Sequence, residues 1–160
     1  MGKIRRFGVT LEPPVRGWLP VRLQLDDFVI DCKASNVGTD PVADLIRAAA
    51  CCTAPAGGSQ RVLLWLEPEA YAIDLAVDAS SHRCELQVSY TEGVIPEFVP
   101  PMAMKSLFRG VADSDLVRDT LVSGLADLIG QAGAASLDTW RPGQSYAADL
   151  VSVRRGPPVS

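Results

Sequence analysis

Four segments of the chain alternate apolar and polar side chains with a period of two. In WLPVRLQL (18–25), Val21, Leu23 and Leu25 share one side, and Arg22 and Gln24 the other. In FVIDC (28–32), Phe28, Ile30 and Cys32 extend an apolar side, with Asp31 opposed. Tyr71, Ile73, Leu75 and Val77 alternate with Ala72, Asp74, Ala76 and Asp78. Cys84, Leu86, Val88 and Tyr90 alternate with Arg83, Glu85, Gln87 and Ser89. Successive side chains of a strand point to opposite faces, so each segment predicts a half-buried strand. Together they predict antiparallel sheet with one wet face.

Further strands follow from the flanking sequence. IRRFGVTLE predicts a first strand with a bulge near Gly8. RVLLWLEP is apolar on both sides from Val62 to Leu66, which predicts a central strand covered on both faces. Asp26–Asp27 and the segment around Pro68 read as turns. Two helices are expected. In the first, Asp40 caps, Pro41 takes the first helical position, and Val42, Leu45, Ile46 and Ala49 form the apolar stripe. In the second, Asp113 caps, Val117, Leu121, Leu125 and Leu128 recur at helical spacing, and Gly130 and Gly133 are candidate stops. A short helix is expected over 102–108, behind Pro100 and Pro101.

This order predicts a two-layer α+β fold: a largely antiparallel meander sheet of about six strands with two main helices packed on one face. Residues 1–135 form the expected single domain. Residues 136–160 form a C-terminal extension anchored by Trp140 and Tyr146, with its last residues mobile. A chain of 160 residues buries enough surface to need no disulfide or metal staple. The formal charge of −4 argues against nucleic acid as the main partner, because a polyanion binder needs a basic face. No apolar run is long enough to span a membrane and no targeting segment appears, so a cytoplasmic protein is expected.

The chemistry-bearing residues are sparse. Cys51 and Cys52 end the first helix, where the dipole opposes a thiolate, and they read as small packing groups. Cys32 and Cys84 fall on apolar strand faces and read as core. His82 and Cys84 would share one strand face, but with a single histidine and no C-x-x-C the chain carries no zinc pattern. Nucleophile-elbow, Walker and dinucleotide motifs are all missing. No catalytic residue, cofactor or metal is therefore assigned.

Ala34 and Ser35 at a strand end, Asp40 before an apolar helix, and Trp65 in a strand that closes on Glu67, Pro68 and Tyr71 carry a resemblance. In these features, over roughly 18–130, the chain resembles a family of small bacterial proteins of unassigned function. In general character it is also similar to immunity proteins that neutralise bacterial toxins: small, acidic, cytoplasmic and α+β. That second likeness is one of type, and the resemblance implies no catalytic residues.

The expected function is a non-enzymatic, cytoplasmic protein-binding module, with an immunity-type protein that neutralises a partner toxin as one form. The partner is another protein, or a second copy of the chain as a homodimer. Asp74, Asp78 and Glu85 on the wet sheet face would steer a basic partner. Phe98, Met102 and Met104 lie in the proline-stiffened 91–108 stretch and would add apolar contacts. The alternative is a small enzyme or ligand-binding protein with a pocket between sheet and helices, using His82, Cys84 and a carboxylate.

Overall fold

The computed structural model describes residues 1–93 and 104–155, the side chains of 134 and 135 excepted. In chain order the elements are β1 (Gly2–Lys3), β2 (Phe7–Leu11), β3 (Trp18–Leu25), β4 (Phe28–Ser35), α1 (Pro41–Cys51), β5 (Gly58–Trp65), β6 (Ala70–Asp78), β7 (Arg83–Thr91), β8 (Lys105–Asp113), α2 (Ser114–Trp140) and α3 (Tyr146–Arg155). The fold is α+β, but the expected single meander divides into two sheets. One has five strands in the order β1-β8-β7-β6-β5, and the other three in the order β2-β3-β4. Every strand pair is antiparallel except β1 with β8. Alternation shows which side of a strand is buried; it does not show which strands pair, and α1 carries the chain from one sheet to the other.

The apolar faces turn towards each other and towards the helices. Val62, Leu64, Ile73, Leu75, Val77, Leu86 and Val88 of the larger sheet are buried in one cluster with Leu19, Val21, Leu23 and Leu25 of the smaller one. Phe28 of β4 stacks on Phe108 of β8, with ring centroids 5.3 Å apart. α1 packs on β5 and α2, while α2 packs chiefly on α1 and β2. The helices thus share the inner face of the larger sheet with the smaller sheet, which the two-layer expectation did not include.

Local chemistry sets the turns and helix ends. Asp26 turns β3 into β4 with φ of 52°, and its Oδ1 accepts the N–H groups of Arg5 (3.0 Å) and Arg6 (2.8 Å). The hairpin tip therefore also holds the chain entering β2. Asp40 caps α1 by accepting the Ala43 N–H at 3.1 Å, behind Pro41. Asp113 caps α2 through the Asp115 N–H at 2.9 Å. The helix breaks at Gly133, with φ of 71°, and resumes to Trp140. Of the two glycines expected as stops, Gly133 is where the helical dihedrals stop, and Gly130 stays inside the helix.

Two other expectations change. RVLLWL belongs to β5, which is an edge strand by hydrogen bonding. Its apolar outer residues Leu63 and Trp65 are half-buried, and α1 and β4 pack against the strand. Within the segment expected as a short helix over 102–108, residues 105–108 are strand: β8 starts at Lys105. Trp140 and Tyr146, the anchors expected of the C-terminal extension, are each 3% exposed, and Leu137, Leu150 and Val153 join them in the same core cluster. Residues 156–160, the end expected to be mobile, lie outside the described residues.

Candidate functional site

The sheet register gathers the acids singled out from the sequence. Arg61, Asp74, Gln87 and Arg109 form one row across β5, β6, β7 and β8 on the outer face. Ser59, Ala76, Glu85 and Val111 form the next row. Arg61 grips Asp74 with two hydrogen bonds, Nε to Oδ1 at 2.6 Å and Nη2 to Oδ2 at 2.9 Å. Arg109 Nη2 reaches Glu85 Oε2 at 3.5 Å. These groups line a shallow depression of about 280 Å³. It runs into a second depression of about 380 Å³, bordered by Met1, Asp78, Arg83 and Glu85.

Asp74, Asp78 and Glu85 thus lie on one surface. Asp74 sits opposite Arg61 and Glu85 lies diagonal to Arg109, so this part of the face carries charges of both signs. Asp78 accepts the Ser80 N–H (3.0 Å) and the Ser80 and Ser81 hydroxyls (2.7 Å each). These bonds, Ser80's hydroxyl first, hold its carboxyl below the usual range, so it stays charged. At its other end the outer face is closed: Ala70, Ala72, Ser89 and Thr91 are buried beside half-buried Trp65 and Leu63. Met104 is half-buried just before β8, whereas Phe98 and Met102 lie outside the described residues. Arg61, Gln87 and Arg109 were not singled out from the sequence. Each sits at a polar position of its strand, but only the register shows which acids they face.

A second concavity, of about 730 Å³, opens where the end of α1, the β6–β7 turn, the start of α2 and the end of α3 meet. Cys52, His82, Asp115, Arg118, Arg154 and Arg155 are among its walls. Arg118 pairs with Asp115 and Asp119, each at 2.9 Å. His82 is not on a strand face with Cys84, as the sequence had suggested. It sits in the turn ahead of β7 with φ of 54°, and its carbonyl accepts the Ser114 N–H at 3.0 Å. The pocket expected for His82, Cys84 and a carboxylate is therefore only partly formed: His82 and Asp115 line the groove, while Cys84 is fully buried behind its wall. Among the described residues no group of three or more His, Cys, Asp or Glu is placed to hold a metal ion. Among them, too, no helix is long and apolar enough to cross a membrane.

No family model matches the chain. No curated protein matches it. Among solved structures, a chain of the CdiA-CT/CdiI toxin and immunity complex from Enterobacter cloacae is similar to it at 10% identity and a TM-score of 0.42, over 76% of this chain and 99% of that one.

Proposed function

We propose that this chain is a non-enzymatic, cytoplasmic protein-binding module that presents the open end of its larger sheet to a partner with a basic surface. An immunity-type protein that covers and neutralises a toxin is the specific form we favour. The observation that carries the reading is the division of the larger sheet. Its inner face is filled by helices and the smaller sheet, while Arg61, Ala76, Asp78, Glu85 and Arg109 stay exposed on the outer face. Such a face contributes little to folding and is free for recognition. The formal charge of −4 and the solvent-facing Asp78 favour a cationic partner.

The test is capture of a stoichiometric partner from the source cells, repeated with D78K/E85K as bait. The wild-type chain should recover one partner with a basic surface, and the charge-reversed chain should lose it while keeping the wild-type circular dichroism spectrum. Recovery of no stoichiometric partner, a second copy of the chain included, would refute a binding module. Undiminished capture by the charge-reversed bait would refute this face.

A further inference from the structure

We propose that β4 is a docking edge for a second copy of the chain, and that two β4 strands pair antiparallel across a two-fold axis at Cys32, joining the two smaller sheets. The placement follows from the hydrogen-bond directions in the β3–β4 pair. Pro20 turns its carbonyl towards the β2 side, where it accepts the Glu12 N–H at 3.1 Å. Lys33, its partner on β4, therefore turns its own N–H and C=O away from β3. These directions alternate along an antiparallel pair, so Asp31 and Val29 do the same. Among the described residues nothing bonds to the N–H or C=O of Val29, Asp31 or Lys33. The opposite edge of the smaller sheet is covered. Phe7 O accepts the Thr120 hydroxyl at 3.3 Å, and Gly124 brings α2 against Val9 O. β4 instead leaves Val29, Asp31 and Lys33 exposed. A row of unpaired backbone groups on an edge strand is a template for another strand.

The charges name the occupant. A closed pair of identical chains has two-fold symmetry, so two copies of one edge meet antiparallel. Hydrogen bonding requires the outward-turned residues to face one another, which leaves few registers. Asp31 on Asp31 would set two carboxylates together, and Lys33 on Lys33 two ammonium groups; like charges directly opposite are destabilising. Asp31 on Lys33 sets two opposite-charge pairs and overlaps the strands from Val29 to Ser35. The remaining registers shorten the overlap. Lys33 has no carboxylate partner among the described residues. Asp31 Oδ2 accepts from Arg22 at 3.2 Å, but its side chain is 70% accessible, and Oδ1 has no partner among the described residues. A lysine from a second copy would complete a row of alternating sign: Arg22, Asp31, then Lys33 of that copy. In this register Cys32 faces Cys32 across the axis, in a pair without hydrogen bonds, and Ile30 faces Ala34 on either side.

Sedimentation equilibrium tests this. The wild-type chain should show a monomer–dimer equilibrium. D31K and K33D each place like charges at both facing positions. Each should raise the dissociation constant about tenfold or more while keeping the wild-type circular dichroism spectrum. Mixed in equal amounts, the two variants restore both opposite-charge pairs and should dimerise as the wild type does. Facing residues of a pair without hydrogen bonds stand about 4.5 Å apart at Cα, a separation that a disulfide can span. Air oxidation with copper phenanthroline should therefore give a linked dimer whose unreduced peptide map joins Cys32 to Cys32. D78K/E85K, altered on the other sheet, should dimerise as the wild type does, so this proposal and the partner-binding reading fail separately. A wild-type chain that is monomeric at every concentration, its β4 edge left to solvent or to another protein's strand, would overturn the proposal. A dimer indifferent to D31K and K33D, a mixture no better than either variant alone, or linkage through Cys51 or Cys52 with none at Cys32 would overturn it equally.

Discussion

Asp40 ties together parts of the chain that are far apart in sequence. Its carboxylate caps α1, accepts the Tyr146 hydroxyl at 2.9 Å and lies 3.7 Å from Arg141 Nε. Its side chain is only 10% exposed, so these partners replace water. Substituting alanine removes a cap worth about 1 kcal/mol and leaves a buried hydroxyl unpaired at about 1–3 kcal/mol. Asp40→Ala should therefore lose about 2–4 kcal/mol in urea unfolding. Asp40→Asn, which still caps and still accepts, should lose much less. In a cycle with Tyr146→Phe the two losses should fall short of adding, since each removes the same bond. Asp26 acts at the surface and through pH. The Arg6 and Arg5 N–H groups hold its carboxyl below the usual range. A carboxyl depressed in the folded state stabilises above its unfolded value, about pH 4, and that contribution is lost as pH falls through the folded value. Asp26→Asn should accordingly flatten the acid limb of a plot of unfolding temperature against pH; a limb as steep as the wild type's would refute this.

Two glycines of α2 should answer the same substitution in opposite ways. A Cβ on Gly124 would stand 2.7 Å from the Val9 carbonyl oxygen, so the glycine lets the helix lie directly on β2. Gly124→Ala must push the two elements apart and should cost about 1–3 kcal/mol. Gly130 is exposed in the helix with nothing within 4 Å of its missing Cβ. Gly130→Ala should gain about 0.5–1 kcal/mol from the lower entropy of the unfolded chain. Thermal unfolding of the two variants reads both signs. The stripe of Val117, Leu121, Leu125 and Leu128 was legible in the sequence, and all four are buried. The need for Gly124 was not, because it arises from a strand more than a hundred residues earlier. β8 was misread for a related reason. A register shift opposite Val88 and Ser89 puts Leu107 at an irregular position, so the alternation that marks a strand fails over 105–109. β1 is a two-residue pairing, too short to show a period. α3 offers only Tyr146, Leu150 and Val153 as its stripe. Among the candidate site residues the acids could be read from composition, but their arginine partners could not, since pairing across strands depends on register.

Across the whole molecule, the larger sheet separates what holds the fold from what is free to recognise. Leu86 and Glu85 are neighbours in β7 on opposite faces: Leu86 is fully buried in the core cluster, and Glu85 is exposed opposite Ala76. Removing most of a buried leucine leaves a cavity, so Leu86→Ala should lose about 2–5 kcal/mol. The Arg109–Glu85 pair is exposed on both sides, with side chains 57% and 51% accessible. Pairs of this kind contribute about 0–1 kcal/mol, so Glu85→Lys should leave the unfolding midpoint nearly unchanged. Once a partner is in hand, the two variants should exchange roles. Leu86→Ala, assayed where it is still folded, should keep the association rate, because the outer face is intact. Glu85→Lys should lower it, and the difference from wild type should shrink as salt is added, since an exposed charge steers a partner through a screened field. A rate for Glu85→Lys equal to the wild type's at low salt would mean that the acids of this face do not steer the encounter, and that any binding energy comes from elsewhere on the chain.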